Sequence, residues 1–317
     1  MATTSYHEPV LLDETLAQLD LKPGAVILDG TLGGGGHAQA ILERTAPDGL
    51  LIGLDVDPDA IREAGQRLSA FGDRVRLVQA SFRHLERVAR EENPSGLDGV
   101  LLDLGVSSHQ LDRPERGFRF SPGPASPLDM RMDREHEGVT AARLLATLSA
   151  ADLERMFSEY GELPGARRLA RAIVQHRETG PLATARDLIE LIQSAGIGHG
   201  RSHNPATLVF QALRIAVNDE LAALEEGLEA AFRVLRPGGR LVVLTYHSLE
   251  DRIVKRAIRS AAKGCVCPPS FPVCRCGQKP RVALATRRPI EPSAREIETN
   301  PRARSARLRS AIRLEAS

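Results

Sequence analysis

Three aspartates stand where short apolar runs end: Asp29 after Ala25–Leu28, Asp55 after Leu50–Leu54 and Asp103 after Gly99–Leu102. Each run has the length of a buried strand. Behind the first comes the loop GTLGGGG (30–36), followed by His37. Without a Cβ in the way, the main-chain N–H groups of Gly33 to Gly36 can approach a ligand closely, and a helix starting near His37 would point its positive end at the same place. Dinucleotide, mononucleotide and S-adenosylmethionine (SAM) sites all use such a turn. Asp55, about twenty residues on, has the spacing of a carboxylate that accepts hydrogen bonds from the hydroxyls of a ribose. The competing account makes Asp55 a solvated loop acid beside Asp57 and Asp59.

The elements that must deliver these acids are those of a doubly wound α/β sheet. In such a sheet the ligand sits outside the carboxyl ends of the strands, so Asp29, Asp55 and Asp103 would converge on one crevice. Pro58 opens a helix running to about Ser69, and Val75–Val78 makes a further strand that leads into Ser81, Phe82 and Arg83. Phe82 can lie against a flat adenine or fill the core. Leu241–Leu244 is a later strand, preceded by a long helical pattern from Phe210 that ends at Pro237, Gly238 and Gly239. At its end stands Tyr246, placed either to stack on a flat ligand or to pack with its hydroxyl satisfied. His7 and Glu8, before Pro9, belong to a lead-in that either reaches the ligand or serves as a lid.

From Leu111 to about Asn204 the strand rhythm stops. RGFRFSPGPASPLDMRMD is punctuated by Gly and Pro and mixes Arg with Phe, as a loop bordering a substrate entrance would. Ser149 with Asp152, and Thr184 with Asp187, have capping-box spacing. Between them, Leu169, Ala170, Ile173 and Val174 share one face of a helix that turns Arg167, Arg168 and Arg171 outward. The organisation is therefore a catalytic sheet domain made of 1–111 and 205–317, with a loop and small helical substrate-recognition domain, 112–204, inserted into it.

Charge is balanced overall, with 42 Lys/Arg against 41 acids. It is unevenly spread: the segment from Lys279 onward holds ten Lys/Arg and four acids, and Gly165–Arg214 seven Arg and three acids. Two basic segments beside a nucleoside site suit a phosphate-rich substrate. A final strand over Ala306–Leu314 would complete the sheet and display Arg302, Arg304, Arg307 and Arg309 near an edge. No apolar run reaches the length of a membrane span and no export signal opens the chain, which points to a cytoplasmic protein with no membrane partner. In that reducing setting Cys265, Cys267, Cys274 and Cys276, in CVCPPSFPVCRC, can furnish four thiolates for one zinc ion.

HEPVLLDE, DGTLGGGGH, LLDLGVSSHQLD, RGFRFS, PLDMRMD, FQALRIAVNDEL, HSLEDR and NPRARSARLR together resemble the ribosomal RNA small subunit methyltransferase H family, from His7 to about Arg309. The resemblance implies a Rossmann-like SAM-dependent methyltransferase sheet and methylation of N4 of a decoding-region cytosine in 16S rRNA. It implies a cofactor site of Gly35, Gly36, His37, Asp55, Phe82, Asp103 and Gln110; the last comes from the resemblance alone. It supplies no catalytic metal, so a zinc on the cysteines would shape the loop. Asp103 is the residue expected to accept a hydrogen bond from the exocyclic amine, with Tyr246 or Phe118 as the stacking partner. The substrate would be 16S rRNA in the small subunit or in a late assembly intermediate. The sequence leaves monomer and homodimer open.

Overall fold

The computed structural model describes residues 9–119, 126–135, 138–197, 204–265, 267–268 and 271–315. His7 and Glu8 lie outside the described residues, as does part of the loop 116–133. The chain divides into two compact units, Met1–Gly105 with Leu221–Ser317, and Val106–Glu220.

The first unit is built on seven strands: β1 (Val26–Asp29), β2 (Leu50–Asp55), β3 (Val75–Gln79), β4 (Leu97–Asp103), β5 (Leu235–Thr245), β6 (Val282–Leu284) and β7 (Arg307–Arg313). Their order is β3-β2-β1-β4-β5-β7-β6. β1 to β5 are parallel, and β7 runs antiparallel to both β5 and β6. The strands read as continuous apolar runs because both faces are covered. Leu28, Val100, Leu102, Leu241 and Val243 face a core shared with helices Leu85–Glu92, Glu220–Val234 and Ser248–Lys263. The alternate residues Ile27, Leu101, Val242 and Leu244 face a second core with helices Leu12–Leu19, Gly36–Arg44 and Pro58–Arg67. Strand order reverses between β1 and β4, which opens the crevice at their carboxyl ends.

Two expectations need correcting. The last strand is not an edge: β7 lies between β5 and β6, and the three-residue β6 takes the outside place. Its arginines are engaged, since Arg309 reaches both oxygens of Asp251 (2.6 and 3.0 Å) and Arg307 lies 3.5 Å from the same carboxylate. Arg302 and Arg304 belong instead to a short 3-10 turn, Pro301–Ser305. The long helical pattern is also two helices, Pro205–Asn218 and Glu220–Val234, divided at Asp219, whose φ of 49° is left-handed.

The second unit has its own core, which includes Phe157, Leu169, Ile173, Leu188, Val209 and Leu213. Helices Ala150–Glu159 and Ala185–Ser194 begin where the capping residues Ser149 and Thr184 stand. Helix Pro205–Asn218 contributes Ala206, Val209, Phe210, Ala212 and Leu213 to this core, so the insertion extends past the expected limit at 204. The Asn218 amide fixes its end, donating to the Met130 carbonyl and accepting from the Met132 N–H, each at 2.8 Å. Arg214 closes a bidentate pair on Glu220 at 2.8 Å.

Candidate active site

β1 ends at Asp29, and the loop beyond it is held by its own backbone. Gly30 N–H donates to the Leu101 carbonyl of β4 (2.9 Å), and Gly33 N–H donates to Asp55 Oδ2 (2.8 Å) at the end of β2. Gly33 and Gly35 have φ of 52° and 76°, which costs other residues roughly 1 kcal/mol or more. Helix Gly36–Arg44 then starts directly from Gly35. At Gly36 the constraint is space: a Cβ there would stand 2.7 Å from Pro9 Cγ. The glycines therefore make a cradle in which a loop N–H is bound to a strand-end carboxylate and a helix N-terminus follows, a donor and acceptor set suited to a nucleoside carrying a charged tail.

Asp55 accepts backbone N–H groups on both oxygens, Gly33 on Oδ2 and Asp57 on Oδ1 (2.9 Å), with Val56 N–H as a further backbone donor. Burial pushes its pKa to about 6, against the pull of those N–H groups. Asp57 itself caps helix Pro58–Arg67. Asp29 is 1% exposed and is raised to about 7 by burial, with Asp103 and Asp55 pushing the same way. The three acids converge electrostatically, as the strand-end reading expects.

Asp103 is the most heavily framed of the three. Its N–H donates to Thr31 Oγ1 (2.5 Å), and its Oδ1 accepts from the Tyr246 hydroxyl (2.7 Å). Its Oδ2 faces His37 Nδ1 at 3.6 Å, longer than a hydrogen bond. His37 Nε2 stands 3.1 Å from the Val10 carbonyl, an acceptor only, so that nitrogen carries a hydrogen. Nδ1 and Oδ2 then attract one another only when a proton resides on one of them. Burial raises the Asp103 pKa, and His37 and the Tyr246 hydroxyl hold it back. Burial and the same carboxylate raise the Tyr246 pKa strongly, so the hydroxyl stays protonated and donating.

Tyr246 has its own support. Its N–H donates to Glu250 Oε2 (2.8 Å), and Glu250 is 3% exposed. His247 caps helix Ser248–Lys263 in a reciprocal box with Glu250: its Nδ1 accepts from Glu250 N–H, and its Nε2 lies 3.0 Å from Glu250 Oε1. The ring of Tyr246 is half-buried beside Gly105. Phe82 is half-buried too, close enough to Gly227 that a Cβ there would stand 2.7 Å from Phe82 Cδ2.

Two residues sit in the second unit. Gln110 is 5% exposed and forms a capping box with Ser107, each accepting the other's backbone N–H. Phe118 is in that unit's core, 7% exposed, which removes it as a stacking partner. Sequence reasoning missed Thr31 and Glu250. The x-x spacing of His247 and Glu250 was a capping signal that could have found the second; a threonine two residues beyond Asp29 carries no comparable signal.

The four cysteines come together: their sulfurs all lie within 4.8 Å of one another, and Cys265–Cys274 and Cys274–Cys276 are 3.4 and 3.5 Å apart. Arg275 N–H points at Cys267 Sγ (3.3 Å). No disulfide joins them. A zinc–sulfur bond of about 2.3 Å puts tetrahedral neighbours about 3.8 Å apart, so the cluster has the dimensions and donor chemistry of a four-thiolate site.

The seven-strand order β3-β2-β1-β4-β5-β7-β6 with β7 antiparallel, and a glycine cradle at its switch point, give the chain the Rossmann-like fold class of SAM-dependent methyltransferases. The sequence model of the MraW methylase family matches residues 4–314. The chain is 51% identical to ribosomal RNA small subunit methyltransferase H of Symbiobacterium thermophilum, over 98% of both chains. It is 52% identical to the proteins of that name from Syntrophotalea carbinolica, over 97% of this chain and 98% of the other, and Geobacter sulfurreducens, over 98% and 100%. The chain belongs to the MraW methylase family; it is a methyltransferase. Among the described residues no helix is long and apolar enough to cross a membrane.

Proposed function

We propose that this methyltransferase uses SAM to methylate N4 of a decoding-region cytidine in 16S rRNA, by direct in-line transfer to the exocyclic amine of a flipped base. The substrate is the small ribosomal subunit or a late assembly intermediate, in the cytoplasm. The observation that carries the reading is Asp103, a carboxylate at the switch point with one oxygen fixed by Tyr246 and the other turned to His37.

Bound SAM supplies a methyl group made electrophilic by its sulfonium. Asp55 would accept hydrogen bonds from the ribose hydroxyls, the backbone of Gly35, Gly36 and His37 would take the charged tail, and Phe82 would flank the adenine; the family resemblance adds Gln110. The amine of cytosine is a poor nucleophile because its lone pair is delocalised into the ring. Asp103 accepts an N–H of that amine, which returns electron density to nitrogen as the new bond forms. A raised pKa suits its carboxylate to hold the proton that the amine sheds. Tyr246 fixes Asp103 and offers its ring to the extruded base, whose unstacking costs a few kcal/mol. The sheet unit is the SAM-binding catalytic part and the insertion the substrate-recognition part, with Arg167 and Arg171 turned to solvent for phosphate contact.

Label transfer from SAM to small subunits that lack the modification, followed by nucleoside analysis, tests the whole reading. Label in N4-methylcytidine is the expected result; label in another nucleoside, or none in RNA with SAM bound, sinks the substrate assignment. The cysteine cluster is a structural zinc site in the same reading. Metal analysis of protein purified without chelator should return one zinc per chain, and a clearly substoichiometric value would remove it.

A further inference from the structure

Away from Asp103, the first unit holds a pocket of about 280 Å³ between helix Ser248–Lys263 and the β6–β7 end of the sheet. Lys255, Ile258 and Arg259 line one wall, and Leu284, Arg287 and Arg309 the other, with no carboxylate in the lining. Arg309 is neutralised by Asp251 and serves as wall. Lys255, Arg259 and Arg287 are different from Arg309: among the described residues none of the three has a carboxylate partner, whereas Arg281, just before the neighbouring β6, is paired with Glu229. Lys255 and Arg259 are one helical turn apart and therefore project together. Three cations without carboxylate partners around one hollow make its field positive and suit it to an anion.

The size narrows the anion. Pockets for whole small molecules run from about 300 to 1,000 Å³, and this one falls just short, while a backbone phosphate with part of its sugar is smaller. The walls also have a shared brace. The segment between the end of helix Ser248–Lys263 and β6 carries all four cysteines, so a knot there fixes the spacing of the two walls. Gly264 lies close against Lys279 and Pro280, where a Cβ would meet backbone at 2.4 Å, which keeps the two ends of that segment together.

The geometry points to this pocket as a docking site for the phosphodiester backbone of the RNA substrate, separate from the site of methyl transfer. The inference rests on the RNA reading above and adds a second contact to it. Phosphate contacts position a nucleic acid without reading its sequence, and each phosphate neutralised adds about 0.7–0.9 to the salt slope of binding.

The test compares wild type with the triple variant Lys255→Ala, Arg259→Ala, Arg287→Ala, measuring affinity for unmodified small-subunit RNA over a salt series. RNA affinity should drop at least tenfold at about 0.1 M salt, with a slope shallower by about two. SAM affinity and the turnover at saturating RNA should stay as in wild type. The charge-preserving variant Lys255→Arg, Arg259→Lys, Arg287→Lys should keep most of the affinity; if it loses as much as the alanine variant, packing and not charge is responsible and the inference fails. Unchanged RNA affinity and slope in the alanine variant overturn it, as does loss of pyrophosphate binding with RNA binding intact, which would assign the pocket to a free phosphate. Wild type that neither binds nor methylates RNA would instead overturn the substrate reading.

Discussion

A carboxylate that must accept a hydrogen bond from a neutral amine works best with its other oxygen already fixed, and the Tyr246 hydroxyl does this for Asp103 at 2.7 Å. A hydrogen bond to a charged group contributes about 1.5–3 kcal/mol, so Tyr246→Phe should lower kcat roughly tenfold or more with SAM affinity nearly unchanged. The acid limb of the kcat profile should also move to higher pH, because the hydroxyl holds the Asp103 pKa down. Tyr246→Ala separates the roles: a further fall in kcat or a rise in KM for RNA reports the ring as a platform, and equal loss in both variants leaves the hydroxyl alone. Asp29 allows a test of the crowded acids. It ionises near pH 4 when unfolded and near 7 when folded, so the folded state binds its proton more tightly. The stability this gives is complete below about pH 4 and is lost as pH rises through about 7. Asp29→Asn cannot lose it, so its stability relative to wild type should grow by about 2–4 kcal/mol between pH 4 and 8. Urea denaturation of both apoproteins across that range measures it, and a difference that does not change with pH would refute the burial of that charge.

At the scale of elements, the parts legible in the sequence are those whose signal is local. The strand ends at Asp29, Asp55 and Asp103, the start of the helix after Gly35 and the caps at Ser149 and Thr184 each depend on a few adjacent residues. What stayed hidden depends on partners distant in the chain. Asp219 breaks a pattern that is helical throughout because Asn218 is held by Met130 and Met132, and nothing near Asp219 announces that. Likewise β7 reads as a basic edge until Asp251 is placed beside Arg307 and Arg309. Tyr246 was legible as a residue at a strand end but its bond to Asp103 was not, since it joins two strand ends. Glycine itself is ambiguous in sequence, and two positions show why. Gly65, inside helix Pro58–Arg67, would give a Cβ ordinary contact with Leu77 at 3.6 Å. Gly65→Ala should therefore stabilise the protein by about 0.5–1 kcal/mol. Gly36→Ala should cost about 1–3 kcal/mol by overpacking against the Pro9 ring and should weaken SAM binding with it. Thermal melts with and without SAM check both, and a neutral Gly36→Ala would mean that the cradle is looser than this spacing implies.

At the scale of the whole molecule, the apolar side chains are divided between separate cores. The sheet unit packs its two clusters on opposite faces of one sheet, so those faces are coupled through the strands they share. Val106–Glu220 packs Phe157, Leu169, Ile173, Leu188, Val209 and Leu213 into a cluster of its own, with helix ends closed by residues of the same unit. A unit with a self-contained core can lose it without the other melting, and two-state unfolding is the expectation only where one core is shared. The van 't Hoff enthalpy of thermal unfolding should accordingly fall below the calorimetric enthalpy. A ligand that binds only the folded form of one unit raises that unit's transition by mass action and leaves the other in place. Since the glycine cradle, Asp55 and Asp103 all belong to the sheet unit and Gln110 alone of the proposed cofactor residues lies in the insertion, S-adenosylhomocysteine should shift one component of the calorimetric trace upward more than the other. Unfolding fluorescence from a probe attached at an exposed position of the insertion, such as Arg171→Cys in a chain with Cys265, Cys267, Cys274 and Cys276 replaced by serine, identifies which component is which. A single transition with equal enthalpies, moved as a whole by the ligand, would show that the two cores unfold as one and that division of the chain at Gly105 and Glu220 has no energetic counterpart.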